Sequence, residues 1–197
     1  MVTAKPYHHG NLREELLRAA VAAIEEDGPA AVSLRALARR VGVTHAAPTH
    51  HFGDKAGLLT AVAAEGFRLL AEEAADAWER TGNFLDVGLA YVRFATTHRA
   101  HFEVMYRPDL YRADDPEVAA ARDTASTVLL GSASQVTDAT GGDGMGAVVA
   151  GWSLMHGLAT LWLNGNLPPE LGDDPVAIGR RIGVFLFQAS EAARRGG

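Results

Sequence analysis

Residues 33–55 constrain the fold more than any other part of this chain. Apolar residues recur there with the i, i+3, i+4, i+7 spacing of one helical face, at Leu34, Leu37, Ala38 and Val41. Ser33 stands where its hydroxyl can cap this helix, and Gly42 stands where the helix must end, because glycine readily takes the left-handed conformation. A second short helix is predicted over residues 45–52. Two helices joined by a tight turn are typical of a helix-turn-helix, which places its second helix in the major groove of DNA.

The remainder of the chain also carries helical patterns, interrupted by glycine and proline. Further helices are predicted over residues 11–27, 54–81, 84–98, 99–106, 116–138, 144–164 and 175–193. No segment alternates apolar and polar residues for long enough to predict a sheet. We therefore expect an all-α fold, with an N-terminal three-helix DNA-binding domain followed by a larger helical domain.

The net charge of −6 is unusual for a DNA-binding protein, but the charge is unevenly distributed. Residues 1–60 carry seven basic and six acidic residues, whereas residues 61–197 carry 11 basic and 18 acidic ones. The acidity therefore lies in the C-terminal part, and strong non-specific DNA binding is not expected. The chain has no cysteine, which excludes disulfides and fits a reducing cytoplasm. Polar residues interrupt the longest apolar stretch, residues 144–163, so we expect a cytoplasmic protein without a membrane span.

Residues 8–60 resemble the DNA-binding domain of the TetR family of bacterial transcriptional repressors. The matching residues are Gly10-Asn11-Leu12-Arg13, Asp27-Gly28, Ser33-Leu34-Arg35 with Leu37-Ala38, Val41-Gly42-Val43, and His51-Phe52-Gly53-Asp54-Lys55 with Leu58-Leu59. Farther along the chain, Trp152, His156 and Gly157 resemble the Trp-His-Gly signature of one C-terminal subtype.

The resemblance implies a function and a division of the chain. Residues 1–55 would form the DNA-binding domain, and residues 56–197 would bind an effector and dimerise. The implied protein is a ligand-responsive repressor that binds a pseudo-palindromic operator as a homodimer through its last two helices. A small apolar effector would release it from the DNA.

Ten residues are candidates for DNA contact. Those expected near base edges are Arg35, Thr44, His45, Ala46, Ala47, Thr49 and His50. Those expected at phosphates are Ser33, Thr49, His51 and Lys55. Arg35 suits guanine, and the two alanines suit thymine methyl groups. Arg39 and Arg40 are interpreted as solvated charges. Two departures from the family pattern are Thr49, where relatives usually have tyrosine, and Pro48, which we expect to be tolerated in the first helical turn.

Aromatic residues, methionines and one histidine in the C-terminal part are candidates for binding an apolar effector with one polar group. They are Phe102, Met105, Tyr106, Trp152, Met155, His156 and Trp162. Each of them also has an ordinary interpretation as a core residue, and His156 as a hydrogen-bonded buried histidine. The sequence does not identify the effector.

An enzyme is the first alternative function. The glycines of residues 141–146 have the spacing of a nucleotide loop, but no predicted strand precedes them and no Lys-Ser or Lys-Thr follows. The adjacent histidine pairs 8–9 and 50–51 point to different helical faces and cannot chelate a metal together. We therefore expect no catalytic residue, cofactor or metal. A dimeric DNA-binding protein without an effector stays open as the second alternative.

Overall fold

The computed structural model describes residues 9–140 and 144–184, and every regular element within them is helical. The helices are α1 (His9–Asp27), α2 (Leu34–Val41), α3 (Ala46–Phe52), α4 (Lys55–Thr81), α5 (Phe84–Thr97), α6 (Arg99–Met105), α7 (Pro116–Thr140) and α8 (Gly144–Leu163). A 3-10 turn, Pro169–Leu171, precedes α9, whose described part is residues 175–184. No described residue belongs to a strand, which confirms the predicted all-α fold.

The chain folds into two compact units that do not follow sequence order. The first contains the described residues up to Phe67 together with Arg99–Arg122. The second contains Arg68–His98 and the described residues from Asp123 onwards. Helices α4 and α7 therefore each contribute residues to both units. The functional boundary expected after residue 55 stays a prediction.

The core of the first unit forms where α1 packs against α2, α3 and α6. Leu16 of α1 and Leu58 of α4 are fully buried, as is Ala38 on the apolar face predicted for α2. The expected cap on α2 is wrong. Ser33 occupies the N-cap position in extended conformation, but its side chain makes no capping hydrogen bond.

The core of the second unit forms where α5 packs against α8. The buried residues there are Val87, Leu89, Tyr91, Phe94, Met155 and Leu158. Asn83 caps α5, because its side-chain oxygen accepts a hydrogen bond from the Leu85 amide at 2.9 Å. In the described parts of both units, we find no helix long and apolar enough to cross a membrane.

Candidate DNA interface and effector site

The turn between α2 and α3 has the geometry expected of a helix-turn-helix. Gly42 ends α2 with φ 76° and ψ 31°, in the left-handed region that favours glycine. Its amide donates to the carbonyls of Ala38 and Arg39, and the Val43 amide donates to Ala38 at 2.9 Å. These bonds satisfy carbonyls that the end of a helix would otherwise leave without partners. The chain can therefore turn sharply and begin α3 only a few residues later.

Two buried residues anchor the short recognition helix, α3. Pro48 is the third residue of this helix. Amides in the first helical turn have no carbonyl partner within the helix, so the missing N–H of Pro48 removes no helical hydrogen bond. The expectation that Pro48 is tolerated is therefore confirmed. Phe52, the last residue of α3, is buried, and the guanidinium carbon of Arg13 lies 5.5 Å from the centre of its ring. Pro48 and Phe52 are thus buried, whereas Thr49 and His50 between them are exposed to solvent.

Most candidate DNA contacts lie on the solvent-exposed surface of the first unit. The exposed ones are Ser33, Arg35, Thr44, His45, Ala46, Thr49 and His50. The half-buried ones are Ala47, His51 and Lys55. The Lys55 ammonium donates to the carbonyl of Ala30, so this side chain has a protein partner as well as access to solvent.

Arg40 is exposed, in agreement with its interpretation as a solvated charge, and it also has a partner within the protein. Its guanidinium donates two hydrogen bonds to the Glu26 carboxylate, at 2.8 and 2.7 Å. Hydrogen bonding from Arg40 holds the pKa of Glu26 below its ordinary value. This bidentate pair joins α1 to α2 at the surface. Arg40 is therefore partnered within the protein rather than directed to DNA.

The effector candidates fall in both units, and each group is described by itself. In the first unit, Phe102 and Met105 are buried and Tyr106 is half-buried. The ring of Tyr106 lies 5.2 Å from that of Phe102 and 6.4 Å from that of Phe67, measured between centroids. These residues form a small aromatic cluster at the end of α6.

A hydrogen-bonded group of polar side chains lies between α5 and α8 in the second unit. The hydroxyl of buried Tyr91 lies 2.8 Å from Nδ1 of His156, and the Trp152 indole N–H donates to the same hydroxyl at 3.4 Å. Burial lowers the pKa of His156 below 6.5, its usual value. Met155 is buried beside this group and Trp162 is half-buried. The site therefore offers neutral hydrogen-bonding groups among apolar side chains.

Family comparisons agree with this architecture over both units. Residues 16–62 match the model described as "Bacterial regulatory proteins, tetR family". Residues 84–182, half of the chain, match the model described as "Tetracyclin repressor-like, C-terminal domain". The chain belongs to the TetR family. This TetR-family protein is accordingly a DNA-binding transcriptional regulator.

Individual proteins similar to the TetR-family protein include one named regulator and two solved structures with the same fold. A regulator named BetI from Stenotrophomonas maltophilia is 38% identical over 63 residues, which span 32% of each chain. A protein of unknown function from Rhodococcus sp. RHA1 is 31% identical, with TM-score 0.80 over 94% of this chain and 98% of its own. NalD, described as the secondary repressor of the MexAB-OprM multidrug efflux pump of Pseudomonas aeruginosa, shares the fold, at 22% identity and TM-score 0.61, over 92% of this chain and 97% of its own. The Trp-His-Gly subtype stays a prediction.

Sequence reasoning missed several polar contacts in this TetR-family regulator, and two of them involve α4 or the residue before it. His101, buried on α6, lies with Nε2 2.9 Å from the Glu65 carboxylate on α4. Arg112, from the segment before α7, donates to Asp54 at the start of α4. Neither pair is close in sequence, so no local pattern joins its members. The one available signal was Gly57, a glycine in the first turn of a long helix, which indicates a close approach by another group.

Proposed function

We propose that this regulator is a repressor that binds a pseudo-palindromic operator as a homodimer and leaves it when a small apolar effector binds. The observation that carries the proposal is the surface of α3. Pro48 and Phe52 hold this helix from inside, while small and polar side chains face solvent. A surface of this kind suits the major groove, where side chains must reach base edges without a steric clash.

The proposed DNA contacts divide by chemistry. Arg35 reads guanine through two hydrogen bonds, and Ala46 and Ala47 meet thymine methyl groups. Thr44, His45, Thr49 and His50 hydrogen-bond to other base edges. Ser33, His51 and Lys55, with Thr49, contact phosphates and set the register of the protein on the duplex. The exposure of Arg35 on α2 and of Ala46, Thr49 and His50 on α3 supports these roles.

The proposed dimer interface lies on the last two helices. Met145, Val149 and Trp152 of α8 are 57%, 49% and 45% exposed, and they follow one another at helical spacing on one face. Leu161 on α8 and Val184 on α9 are also exposed. Large apolar side chains that are exposed on one helical face, as Met145, Val149 and Trp152 are, are typical of protein–protein contacts. A dimer through this face would need operator half-sites about one DNA turn, ~34–36 Å, apart.

The proposed effector site uses the candidate residues of the C-terminal part. Tyr91, Trp152 and His156 supply the polar groups in the second unit, and Met155 and Trp162 supply apolar surface beside them. Phe102, Met105 and Tyr106, which lie in the first unit, are separate candidates for ligand binding there. Because burial favours uncharged His156, an apolar ligand with one hydrogen-bonding group is the expected class. The description of NalD as a repressor supports repression rather than activation.

Binding to a randomised duplex library at two salt concentrations tests the DNA-binding part of the proposal. We expect sequencing of the bound fraction to give one palindrome with half-sites about one turn apart. Binding without an enriched sequence, lost as salt rises, would instead indicate phosphate attraction alone.

Two arginines on α2 provide a matched test of base reading. Arg35→Ala should weaken operator binding by ~1–3 kcal/mol and relax the preference at one base pair. Arg39→Ala removes the same charge from the same helix and should leave the sequence preference intact. Equal loss of preference in both variants would contradict the proposed role of Arg35.

Sedimentation velocity tests the proposed interface. Val149→Glu places a charge within the exposed face of α8 and should shift the protein from dimer to monomer. Leu130→Glu changes a residue of α7 that is 39% exposed and serves as the control. A second experiment tests the effector site. Apolar compounds should release the wild type from the selected operator but should not release Tyr91→Phe.

A further inference from the structure

A guanidinium from outside the helix-turn-helix lies against the junction between α3 and α4. Arg112 belongs to the segment between α6 and α7, and its Nη2 donates to Oδ2 of Asp54 at 2.8 Å. The other oxygen of Asp54 accepts a hydrogen bond from the Gly57 amide at 2.8 Å, which caps the first turn of α4. One carboxylate therefore holds both the start of α4 and the Arg112 side chain.

Gly57 marks how closely these groups approach one another. A Cβ at this position would overlap the carbonyl oxygen of Phe52, the last residue of α3. It would also lie 2.7 Å from Nη1 of Arg112. The end of the recognition helix and the Arg112 guanidinium therefore both approach the first turn of α4 closely at Gly57.

The backbone at Arg112 is held as well as its side chain. The Arg112 amide donates to the hydroxyl of Thr60 at 3.0 Å, and that hydroxyl donates to the Ala56 carbonyl at 2.7 Å. Thr60 is buried on α4. Arg112 is therefore held at two points, Asp54 and Thr60, which are about 1.7 helical turns apart along the first part of α4.

The recognition helix depends on contacts of this kind for its orientation. It has seven residues, too few for a stable helix on its own. Gly53 follows it directly with φ 76° and ψ −69°, a conformation open to glycine. The angle between α3 and α4 therefore depends on the contacts at their junction, together with the packing of α3 against α1 and α2.

We propose that Arg112 is a positioning residue for operator binding. It holds the C-terminal end of α3 against the first turn of α4 and so sets the angle at which α3 enters the major groove. The inference rests on the proposed function, because it takes α3 to be the helix that contacts bases. It extends the DNA-binding machinery to a residue 58 positions beyond Asp54.

The competing explanation is that Arg112, which is exposed, contacts a phosphate directly. The two explanations differ in the sign expected for Asp54→Asn. Asparagine keeps the oxygen that caps α4 but loses the charge that binds Arg112. If Arg112 acts on phosphate, removing the nearby negative charge should strengthen DNA binding. If Arg112 acts by position, the same substitution should weaken it.

The experiment measures operator Kd over a range of salt concentrations for the full-length protein, using the operator selected by the wild type. We expect Arg112→Ala and Asp54→Asn each to weaken binding about fivefold, near the upper end for one exposed ion pair. The double variant should be no weaker than either single one. The dependence of log Kd on log salt should keep its wild-type slope, since no phosphate contact is lost.

Arg107→Ala is the matched control. Arg107 lies in the same segment, and its guanidinium binds only locally in the described contacts, to Asp109 at 3.0 Å. This variant loses the same charge and should bind the operator like the wild type. Arg112→Lys restores a cation at the original position and should recover part of the operator affinity. This variant provides the test if Arg112→Ala folds poorly.

Several results would overturn the inference. An Arg112→Ala variant with the same operator affinity as Arg107→Ala would overturn it. A slope of log Kd against log salt that is lower by about one in Arg112→Ala would also overturn it, because this change indicates a lost phosphate contact. Tighter binding by Asp54→Asn would also contradict it. If the wild type selects no operator, both the proposed function and the inference about Arg112 are wrong. If the wild type selects an operator and Arg112→Ala binds it normally, only the inference about Arg112 is wrong.

Discussion

Replacing Tyr91 with phenylalanine removes one hydroxyl and leaves the packed ring in place. That hydroxyl lies 2.8 Å from His156 Nδ1 and accepts a hydrogen bond from the Trp152 indole at 3.4 Å. Tyr91 is only 2% exposed, so water has little access to replace the lost group. The substitution therefore isolates the contribution of this hydrogen-bonded group to the stability of the folded protein.

The expected loss follows from the contacts. A net intramolecular hydrogen bond contributes about 1 kcal/mol, and leaving a buried partner unsatisfied costs ~1–3 kcal/mol. Because His156 is only half-buried, we expect a decrease of about 1–2 kcal/mol in the free energy of unfolding. For a chain of this length, 1 kcal/mol lowers Tm by about 2–4 °C, so Tyr91→Phe should melt roughly 2–8 °C below the wild type.

Thermal unfolding followed by far-ultraviolet circular dichroism, at one protein concentration and above pH 7, measures this loss. His156→Gln and the double variant complete a thermodynamic cycle that gives the coupling between the two side chains. A Tyr91→Phe variant that melts at the wild-type temperature, or additive losses in the double variant, would refute the reasoning.

The pH dependence of the same pair has a definite sign. Burial lowers the pKa of folded His156 below the 6.5 of the unfolded chain, so the unfolded state takes up the proton first as pH falls. The stabilisation from neutral His156 is therefore complete above pH 6.5 and is lost as pH falls through the folded-state pKa. Melting temperatures should accordingly fall less for His156→Gln than for the wild type between about pH 7 and pH 5.

Three further predictions concern the packing of the helices. Gly42→Ala places a side chain at φ 76° and should cost about 1–2 kcal/mol in thermal unfolding, with Gly42→Asn closer to the wild type. Gly66→Ala should lower Tm because its added Cβ would lie 2.5 Å from Met105 Sδ. Gly131→Ala, whose added Cβ would meet no atom within 4 Å, should instead raise the free energy of unfolding by about 0.5–1 kcal/mol. Equal effects of the two substitutions would contradict this reasoning. Leu37→Ala empties a buried position and should cost about 2–5 kcal/mol in urea unfolding, and a smaller loss would mean that the site collapses.

The helix-turn-helix could be predicted because its determinants are local. The spacing of apolar residues fixed the buried face of α2, and Gly42 marked its end through a backbone conformation that other residues rarely adopt. The tolerance of Pro48 also followed from its position in a first turn. The Ser33 cap was wrong because a favourable residue type at an N-cap position does not ensure that its side chain turns toward the free amides.

The polar contacts could not be predicted, since they join helices distant in sequence. Tyr91 and His156 are 65 positions apart, and His101 and Glu65 are 36 apart. Helical periodicity identifies which face of each helix is buried, but it carries no information on which two faces meet. The ordinary interpretation of His156 as a hydrogen-bonded buried histidine agrees with the structure in its hydrogen bond to Tyr91, but His156 is half-buried rather than buried.

The interleaving of the two compact units has a practical consequence for protein engineering. The unit that carries α2 and α3 also contains Arg99–Arg122, so its sequence is discontinuous. A chimera that joins the N-terminal part of one regulator to the C-terminal part of a related one at a single splice point would take α1 and α6 from different proteins. These two helices pack against each other. Graft design should instead transplant Arg68–His98 and the chain after Arg122 as two pieces. This creates three junctions, one inside α4, one at the short α5–α6 connection and one inside α7.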